Sequence, residues 1–426
     1  MESASLKFVL TGSTGFVGQQ LAPKLREAGG DLILVSRNAA QLLRDYPDFR
    51  SCDYTDLRLF DLRDAIFIHA AVLNNSSTGT EHEFWEANVK HLLDTAYAAS
   101  KADARCFINL ASTHALDPSV NDVYGRSKAQ GANELLQKFP KFGINLYLPT
   151  VYGQRFKGRL EILNRLPSQL RPWILSFLRL AKPMVSSDIV AKQILDLAAV
   201  PKDAVCHWDR WSREFFVADP VPKAGLHSAI KRATDILAAV TLVIVFGWLM
   251  IAIWIWIKFD SRGPGIFAQQ RVGQNGIIFT CYKFRTMATD TVQAATHEVS
   301  EVTVTRAGRF LRRTKLDELP QCINILRNEM SLVGPRPCLP VQEELVAARE
   351  RQGVLTIKPG ITGLAQIRDI DMSNPSKLAN FDARYRAFRT VLSDLQILVA
   401  TLIGRGRGDP VGSAATNSGF VEEQNS

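Results

Sequence analysis

The feature that most limits how this chain can fold is an internal apolar segment, residues 236–257, in which 22 consecutive positions carry no charged side chain. As a helix with a rise of about 1.5 Å per residue, this segment would measure about 33 Å, which is enough to cross the hydrocarbon core of a bilayer. The sequence therefore predicts a helix whose partner is membrane lipid.

Basic residues flank this segment on both sides, Lys231 and Arg232 before it and Lys258 and Arg262 after it. Because both flanks are basic, the positive-inside rule gives no preferred orientation. The chemistry predicted below for both flanking regions belongs in the cytoplasm, so we expect a re-entrant helix that enters and leaves the membrane on one face. An ordinary transmembrane anchor is the alternative.

The composition is that of a folded protein with a net positive charge. Its 426 residues suggest about two to three domains, and 46% hydrophobic with 22% charged residues exclude a disordered chain, a collagen-like repeat and a coiled-coil rod. Lys and Arg number 51 against 42 Asp and Glu, which favours a partner with phosphates or an anionic surface. The six cysteines include no Cys-x-x-Cys pair, and the first residues have no apolar signal core. We therefore expect neither a zinc site nor disulfide bonds, and we expect the protein to be located in the reducing environment of the cytoplasm.

Upstream of the apolar segment, short β-branched runs alternate with helical patterns. This alternation predicts an α/β fold with a Rossmann-like, doubly wound parallel sheet. Prolines and a glycine near residue 220 indicate a linker, and a mainly α-helical region is expected after the apolar segment. The predicted organisation is a first domain over 1–218, a linker over 219–230, a membrane-inserted helix over 231–258, a second domain over 259–403 and a disordered tail over 404–426.

A glycine-rich loop follows the first predicted strand. Gly12, Gly15 and Gly18 permit a tight turn and let backbone N–H groups and a helix N-terminus approach a pyrophosphate closely. Because the loop lies between a strand and a helix, we interpret it as a dinucleotide-binding loop rather than an ordinary strand–helix turn.

The residue after the second predicted strand bears on the choice of dinucleotide. A site that prefers NAD usually has an acidic residue about 20 positions beyond the glycines, whereas this chain has Arg37. An arginine can bind the 2′-phosphate of NADP through two charge-assisted hydrogen bonds, so NADP(H) is favoured over NAD(H). A solvated surface arginine is the alternative.

Tyr124 and Lys128 are four residues apart and would share one face of a helix. The ammonium group would lower the pKa of the Tyr124 phenol from about 10 toward neutrality, so that the phenol can exchange a proton with a sugar hydroxyl or carbonyl. Ser112 and Thr113, at the end of a predicted strand, offer hydroxyls to the same oxygen. In isolation, such a pair is more often ordinary surface packing.

Taken in order, the glycines, the hydroxyl pair and the tyrosine–lysine pair resemble the extended short-chain dehydrogenase/reductase family that acts on nucleotide sugars, over residues 6–200. The resemblance implies that Thr113, Tyr124 and Lys128 are catalytic and that Asp53 contacts the adenine.

One departure from this family narrows the predicted reaction. His114 and Ala115 stand where the dehydratases carry an acidic pair, so dehydration is disfavoured. We favour the reduction of a UDP-4-keto-sugar. A UDP-sugar 4-epimerase and a non-catalytic, nucleotide-sensing domain are the alternatives.

Downstream of the apolar segment, clustered cations surround two adjacent carboxylates, Asp317 and Glu318. Adjacent side chains on a helix point about 100° apart, so the two acids cannot form an equivalent pair. One acid would attack or bind metal while the other supports it. The alternatives are a lipid-headgroup patch for the cations and a solvated helix face for the acids.

The downstream motifs together resemble the bacterial sugar transferases, the monotopic phosphoglycosyl transferases, over about residues 228–403. The motifs that carry the resemblance include residues 270–273, 282–287, 316–321, 330–337 and 358–366. The resemblance implies transfer of a phosphosugar from a UDP-sugar to polyprenyl (undecaprenyl) phosphate, with release of UMP, through a covalent aspartyl intermediate.

The same resemblance assigns roles to individual residues. Asp317 would be the nucleophile and the ligand of Mg²⁺, with Glu318 beside it. Further residues match basic positions that hold substrate phosphates, namely Lys283, Arg285, Arg312 and Arg336. Asp382 and Tyr385 match a supporting motif.

We therefore expect a bifunctional enzyme of polysaccharide or glycoconjugate biosynthesis, such as exopolysaccharide biosynthesis, on the cytoplasmic face of a bacterial inner membrane. Its partners would be UDP-sugar, polyprenyl phosphate and membrane lipid, but no nucleic acid, and a homodimer is left open.

One departure from the family concerns the membrane helix, which in the family bends at a Ser-Pro pair, whereas this chain has Gly247-Trp248. Proline forces a bend, but glycine only permits one.

Overall fold

A computed structural model describes residues 6–404, apart from residues 75–76, 118–121, 154–155, 157, 223–224 and 289–303. The chain divides into two compact units, Met1–His227 with Ala387–Leu392 and Ser228–Arg386 with Ser393–Ser426. The tail expected over residues 404–426 lies outside the described residues beyond its first position.

The first unit is built on a seven-stranded sheet with the order β3-β2-β1-β4-β5-β6-β9, in which every neighbouring pair is parallel. A separate parallel pair is formed by β7 and β8. The strands are β1 (Lys7–Thr11), β2 (Asp31–Val35), β3 (Arg50–Cys52), β4 (Ile66–His69), β5 (Cys106–Ser112), β6 (Gly143–Leu148), β7 (Thr150–Tyr152), β8 (Met184–Ser186) and β9 (Glu214–Phe216). The predicted Rossmann-like parallel sheet is confirmed.

Both faces of this sheet are covered. Along β1, Phe8 and Leu10 belong to one buried cluster and Val9 to the cluster on the other face, which is why the strands are continuous apolar runs. The helices of this unit are α1 (Phe16–Glu27), α2 (Ala39–Asp45), α3 (Glu81–Trp85), α4 (His91–Lys101), α5 (Val123–Lys138), α6 (Arg171–Leu178), α7 (Ser187–Ala198) and α8 (Lys202–Cys206). Of these, α6 packs in a separate cluster that includes Met184 of β8.

The second unit is mainly helical, as predicted, and includes an antiparallel hairpin and a short parallel strand pair. The hairpin consists of β10 (Ile266–Val272) and β11 (Ile278–Phe284), and the pair consists of β12 (Ser331–Val333) and β13 (Gly360–Thr362). The helices are α9 (Leu226–Asp260), α10 (Arg306–Thr314), α11 (Cys322–Leu326), α12 (Glu343–Arg351), α13 (Pro375–Phe388) and α14 (Val391–Leu402).

Helix α9 contains the apolar segment and is longer than expected. It begins five residues before position 231, so the end of the expected linker is helical, and it continues without interruption through Gly247 to Asp260. Gly247 therefore does not break the helix, since glycine does not remove a backbone hydrogen bond as proline does. By length and composition, α9 is long and apolar enough to cross a membrane.

Both ends of α9 are held by the second unit. Near its start, Asp235 Oδ1 accepts hydrogen bonds from Ser331 Oγ and Leu332 N, each at 3.0 Å. At its end, Asp260 Oδ2 accepts a hydrogen bond from Ala307 N at 3.1 Å. One side of the helix is thus attached to the same unit over about 25 residues, or about 38 Å.

The opposite side of α9 exposes large apolar side chains. Their exposed fractions reach 68% at Leu237, 74% at Ile244, 69% at Trp248 and 63% at Ile251. An apolar surface of this kind fits contact with lipid rather than with water.

Candidate functional site

The glycine-rich loop joins β1 to α1 with its backbone tightly packed. Gly12 has φ +71°, and a Cβ atom there would lie 2.4 Å from Ala71 N. A Cβ atom on Gly18 would lie 2.3 Å from the carbonyl oxygen of Gly12. Both positions therefore require glycine, and the N-terminus of α1 is left open to a diphosphate. The loop fits the diphosphate of a nicotinamide dinucleotide.

Arg37 and Asp53 follow β2 and β3, which lie beside β1, so the structure brings both residues to the same sheet edge as the glycine loop. Arg37 is exposed. Asp53 Oδ1 accepts hydrogen bonds from Thr55 N, Thr55 Oγ1 and Asp56 N at 2.7–2.8 Å, and these bonds lower the pKa of Asp53.

Tyr124 and Lys128 lie on α5, but their relation differs from the expected one. Lys128 is buried and donates a hydrogen bond to the carbonyl of Leu110 at 3.2 Å, and burial lowers its pKa to about 8. Burial raises the pKa of Tyr124 against the opposing effect of a hydrogen bond with the Ser112 side chain, and the Asp122 carboxylate raises it further. The predicted lowering of the Tyr124 pKa by Lys128 is therefore wrong, because the lysine is engaged with β5.

Thr113 begins a short 3-10 turn, Thr113–Leu116, directly after β5. The next residue, His114, was given no positive role by the sequence. Its Nδ1 lies 3.4 Å from Asp122 Oδ2, and its ring packs edge-on against Tyr124 with centroids 5.6 Å apart. The structure thus places an imidazole and a carboxylate beside the predicted catalytic tyrosine.

In the second unit, the two adjacent carboxylates lie in a 3-10 segment, Leu316–Gln321, that follows α10. Helix α10 ends because Lys315 adopts a left-handed conformation with φ +59°. This turn changes the chain direction just before Asp317 and Glu318.

Glu318 is fixed by two cations. Its Oε1 lies 3.0 Å from Lys283 Nζ and 3.1 Å from Arg336 Nη2. Its side chain is 14% exposed, and those of the two cations are 21% and 19% exposed. Burial by itself raises the pKa of Glu318, but the two cations outweigh burial and lower this pKa to about 2.

Asp317 is in a different electrostatic position. It accepts no hydrogen bond from any residue that the structure describes. Burial, and then the neighbouring Glu318 carboxylate, raise the pKa of Asp317 to about 6 against the opposing effect of nearby cations. The two acids are therefore unequal: Glu318 is anchored by two cations that favour its ionised form, whereas the environment of Asp317 disfavours its charge.

The other two residues predicted to bind substrate phosphates, Arg312 and Arg285, make different contacts in the structure. Arg312 Nε donates to Thr286 Oγ1 at 3.0 Å, and burial lowers the pKa of Arg312 while Asp317 raises it. Arg285 instead donates to the carbonyls of Ser261 and Arg262 and to Ser261 Oγ, each at 2.8 Å. These bonds tie the hairpin to the segment after α9 and occupy both terminal nitrogens of Arg285, so the structure does not present it to a substrate phosphate.

Asp382 and Tyr385 do not join the carboxylate pair. Asp382 forms an ion pair with Arg349, and Tyr385 Oη donates to Asp394 Oδ1 at 2.8 Å. Arg349 was missed in the sequence, since a lone arginine on a charged helix carries no distinguishing signal.

The carboxylates fit one kind of metal site. Among the described residues, no group of three or more His, Cys, Asp or Glu side chains is arranged to hold a metal ion. Mg²⁺ usually takes one or two protein carboxylates and completes its shell with substrate phosphates and water, and Asp317 can supply such a carboxylate.

The fold and these sites define a two-domain protein, in which a Rossmann-like nucleotide-binding domain precedes a domain with an unequal carboxylate pair among cations. Residues 226–405 match the bacterial sugar transferase family, and residues 8–172 match the NAD dependent epimerase/dehydratase family. The chain belongs to the bacterial sugar transferase family and carries an N-terminal domain of the second family.

Several characterised proteins are similar to the C-terminal region. The undecaprenyl-phosphate galactose phosphotransferase of Salmonella typhimurium is 37% identical over 190 residues, which cover 40% of this chain and 39% of that protein. The UDP-glucose:undecaprenyl-phosphate glucose-1-phosphate transferase of Caulobacter vibrioides is 39% identical over 155 residues, which cover 35% of this chain and 58% of that protein. The chain thus spans only part of these relatives.

A shorter relative is matched over nearly its whole length. The exopolysaccharide production protein PSS of Rhizobium leguminosarum is 35% identical over 199 residues, which cover 42% of this chain and 98% of that protein. Among solved structures, the UDP-N-acetylglucosamine 4-epimerase of Bacillus cereus is 19% identical with a TM-score of 0.37, over 55% of this chain and 85% of that one.

Proposed function

We propose that the C-terminal domain transfers a phosphosugar from a UDP-sugar to undecaprenyl phosphate or a similar polyprenyl phosphate. The observation that carries this proposal is the unequal carboxylate pair, since Glu318 is held by Lys283 and Arg336 while Asp317 is free to act as a nucleophile. Relatives whose names specify undecaprenyl-phosphate phosphotransferases support the substrate class.

In the proposed first step, an Asp317 carboxylate oxygen attacks the sugar-proximal phosphorus. The bond from that phosphorus to the bridging oxygen breaks, and the electron pair leaves with UMP. In the second step, a phosphate oxygen of the lipid attacks the same phosphorus and displaces Asp317, which regenerates the carboxylate. Lys283 and Arg336 would stabilise the charge that develops on the phosphoryl oxygens, with Arg312 close to Asp317. Bound Mg²⁺, with Asp317 as its protein ligand, would neutralise charge on the diphosphate.

We also propose that the enzyme is monotopic and lies on the cytoplasmic face of the inner membrane. A crossing helix would place its two ends on opposite sides of the bilayer, but the same compact unit contacts Asp235 and Asp260. An α9 that rests in one leaflet with its exposed apolar side toward lipid satisfies both observations.

For the N-terminal domain we propose an NADPH-dependent reduction of a UDP-4-keto-sugar, with Thr113 and Tyr124 at the reacting carbonyl and Lys128, one turn further along α5, in a supporting catalytic role. The glycine loop at Gly12 and the exposed Arg37 support binding of NADPH. NADPH would supply the hydride. Stoichiometric loss of NADPH absorbance with a keto-sugar supports reduction, whereas sugar interconversion without such loss favours the 4-epimerase.

The transferase proposal is tested with the full chain in nanodiscs. Purified protein is supplied with undecaprenyl phosphate and a panel of UDP-sugars, and release of UMP is measured. We expect UMP release by the native chain and by Glu350→Gln, an exposed carboxylate change in the same unit, but not by Asp317→Asn. UMP release by Asp317→Asn at the native rate contradicts the proposal.

A further inference from the structure

A fully buried ion pair lies beside the transferase site without contacting the carboxylate pair. Arg349 on α12 and Asp382 on α13 are each 2% exposed. Asp382 Oδ2 accepts hydrogen bonds from Arg349 Nε at 3.0 Å and from Arg349 Nη2 at 2.7 Å. Burying two charges has a desolvation cost that often cancels their attraction, so stability alone is a weak reason for such a pair.

The third nitrogen of Arg349 connects this pair to the site. Arg349 Nη1 donates a hydrogen bond to the backbone carbonyl of Arg336 at 2.9 Å. The side chain of Arg336 in turn contacts Glu318 at 3.1 Å. A continuous series of contacts therefore leads from Asp382 through Arg349 and Arg336 to Glu318.

The chain around Arg336 has no regular secondary structure, and its carbonyl groups are held individually by hydrogen bonds. Gly360 N donates to the carbonyl of Pro335 at 2.9 Å, and Val272 N donates to the carbonyl of Cys338 at 2.9 Å. Between these two backbone contacts, the carbonyls are held by side chains. Arg271 Nη1 donates to the carbonyl of Pro337 at 3.0 Å, and Arg349 holds that of Arg336.

We propose that Arg349 is a positioning residue of the transferase site, which fixes the backbone of Arg336 so that the Arg336 guanidinium reaches Glu318 and the substrate diphosphate. Asp382 orients the planar guanidinium group of Arg349. The several N–H donors of this group allow it to bind the Asp382 carboxylate and the Arg336 carbonyl at the same time. This inference rests on the proposed function for its substrate.

The test is a double-mutant cycle with Arg349→Met and Arg336→Met in the full chain. Affinity for UDP with Mg²⁺ is measured by calorimetry, and kcat/KM is measured from UMP release. If Arg349 acts through Arg336, Arg349→Met weakens UDP binding and lowers kcat/KM by about tenfold in the native background, but by less than about twofold in the Arg336→Met background. Equal effects in both backgrounds overturn the proposal.

A matched control separates positioning from stability. Arg213 is another buried arginine that holds backbone carbonyls, those of Val205 at 2.6 Å and Trp208 at 3.1 Å, but it lies in the first unit. We expect Arg213→Met to lower the melting temperature without changing kcat/KM for UMP release. If Arg349→Met behaves in the same way, its role is structural and the proposal fails.

A conservative variant keeps the test decisive if Arg349→Met does not fold. Arg349→Lys retains the charge beside Asp382, but a single ammonium group does not reproduce the fork, so we expect a folded protein whose UDP affinity remains reduced. Native UDP affinity in Arg349→Lys overturns the proposal. A coupled effect on UDP affinity without UMP release by the native chain supports the positioning role while contradicting the transferase function.

Discussion

Replacing Asp317 by Asn should make the protein more stable, and the gain should grow with pH. Burial and Glu318 raise the pKa of Asp317 from 3.8 to about 6, so the folded state binds a proton that the unfolded state has lost. The ionised carboxylate therefore destabilises the fold progressively as pH rises from about 4 to 6. Asn has nearly the same shape and carries no charge, so it removes this penalty.

The size of the effect follows from the two pKa values. At about 1.4 kcal/mol per pKa unit, the penalty is about 3 kcal/mol at pH 8 and roughly half of that at pH 5. For a unit of this size, each kcal/mol shifts the melting temperature by about 2–4 °C, so Asp317→Asn should melt about 6–12 °C higher at pH 8 as an upper limit.

The assay is thermal melting of Asp317→Asn and of the native chain in the same detergent at pH 5 and pH 8. Glu350→Gln is the matched control, because Glu350 is exposed in the same unit, and it should melt like the native chain at both pH values. A loss of stability in Asp317→Asn at pH 8, or an equal gain at both pH values, would refute the claim that Asp317 carries a destabilised charge.

Three further predictions concern the two sites. Because Asp317 must be ionised to attack phosphorus, UMP release should rise with pH through about 6, and a rise centred near pH 4 would contradict this role. Gly12→Ala should abolish NADPH binding measured by fluorescence, since the added Cβ would lie 2.4 Å from Ala71 N, and retained binding would show that the loop is not the dinucleotide site. Arg37→Glu should weaken NADPH binding by about tenfold or more relative to NADH, because a carboxylate repels the 2′-phosphate, and an unchanged preference would remove Arg37 from the cofactor site.

The sequence predicted those features that depend on local pattern. Alternating apolar runs were sufficient to predict the parallel sheet, because strands buried on both faces need continuous apolar side chains. The motif containing Asp317 and Glu318 indicated an unequal pair, because adjacent positions on a helical turn cannot point the same way. Lys283 and Arg336 were predicted to hold substrate phosphates, and the structure brings both to Glu318.

Features that depend on long-range contacts were not predictable in the same way. Arg285 belongs to the same motif as Lys283, and a strand would place residues two apart on the same face. Arg285 instead follows the end of β11 at Phe284, and its guanidinium reaches the segment after α9 rather than Glu318. The pairing of Arg349 with Asp382 joins residues 33 positions apart, and no periodicity indicates it. The pKa of Tyr124 depends on burial and on where the Lys128 ammonium is bound, which only the packed structure specifies.

The measurement that tests the central claim most directly is the mass of Asp317 after reaction with donor alone. The full chain is incubated with UDP-sugar and Mg²⁺ without lipid phosphate, quenched in acid, digested and analysed by mass spectrometry. We predict that the peptide containing Asp317 gains the mass of one phosphosugar, that UMP appears in equal amount, and that added polyprenyl phosphate removes the adduct. An unmodified Asp317 peptide, with UMP formed only when the lipid is present, would contradict covalent transfer through this side chain.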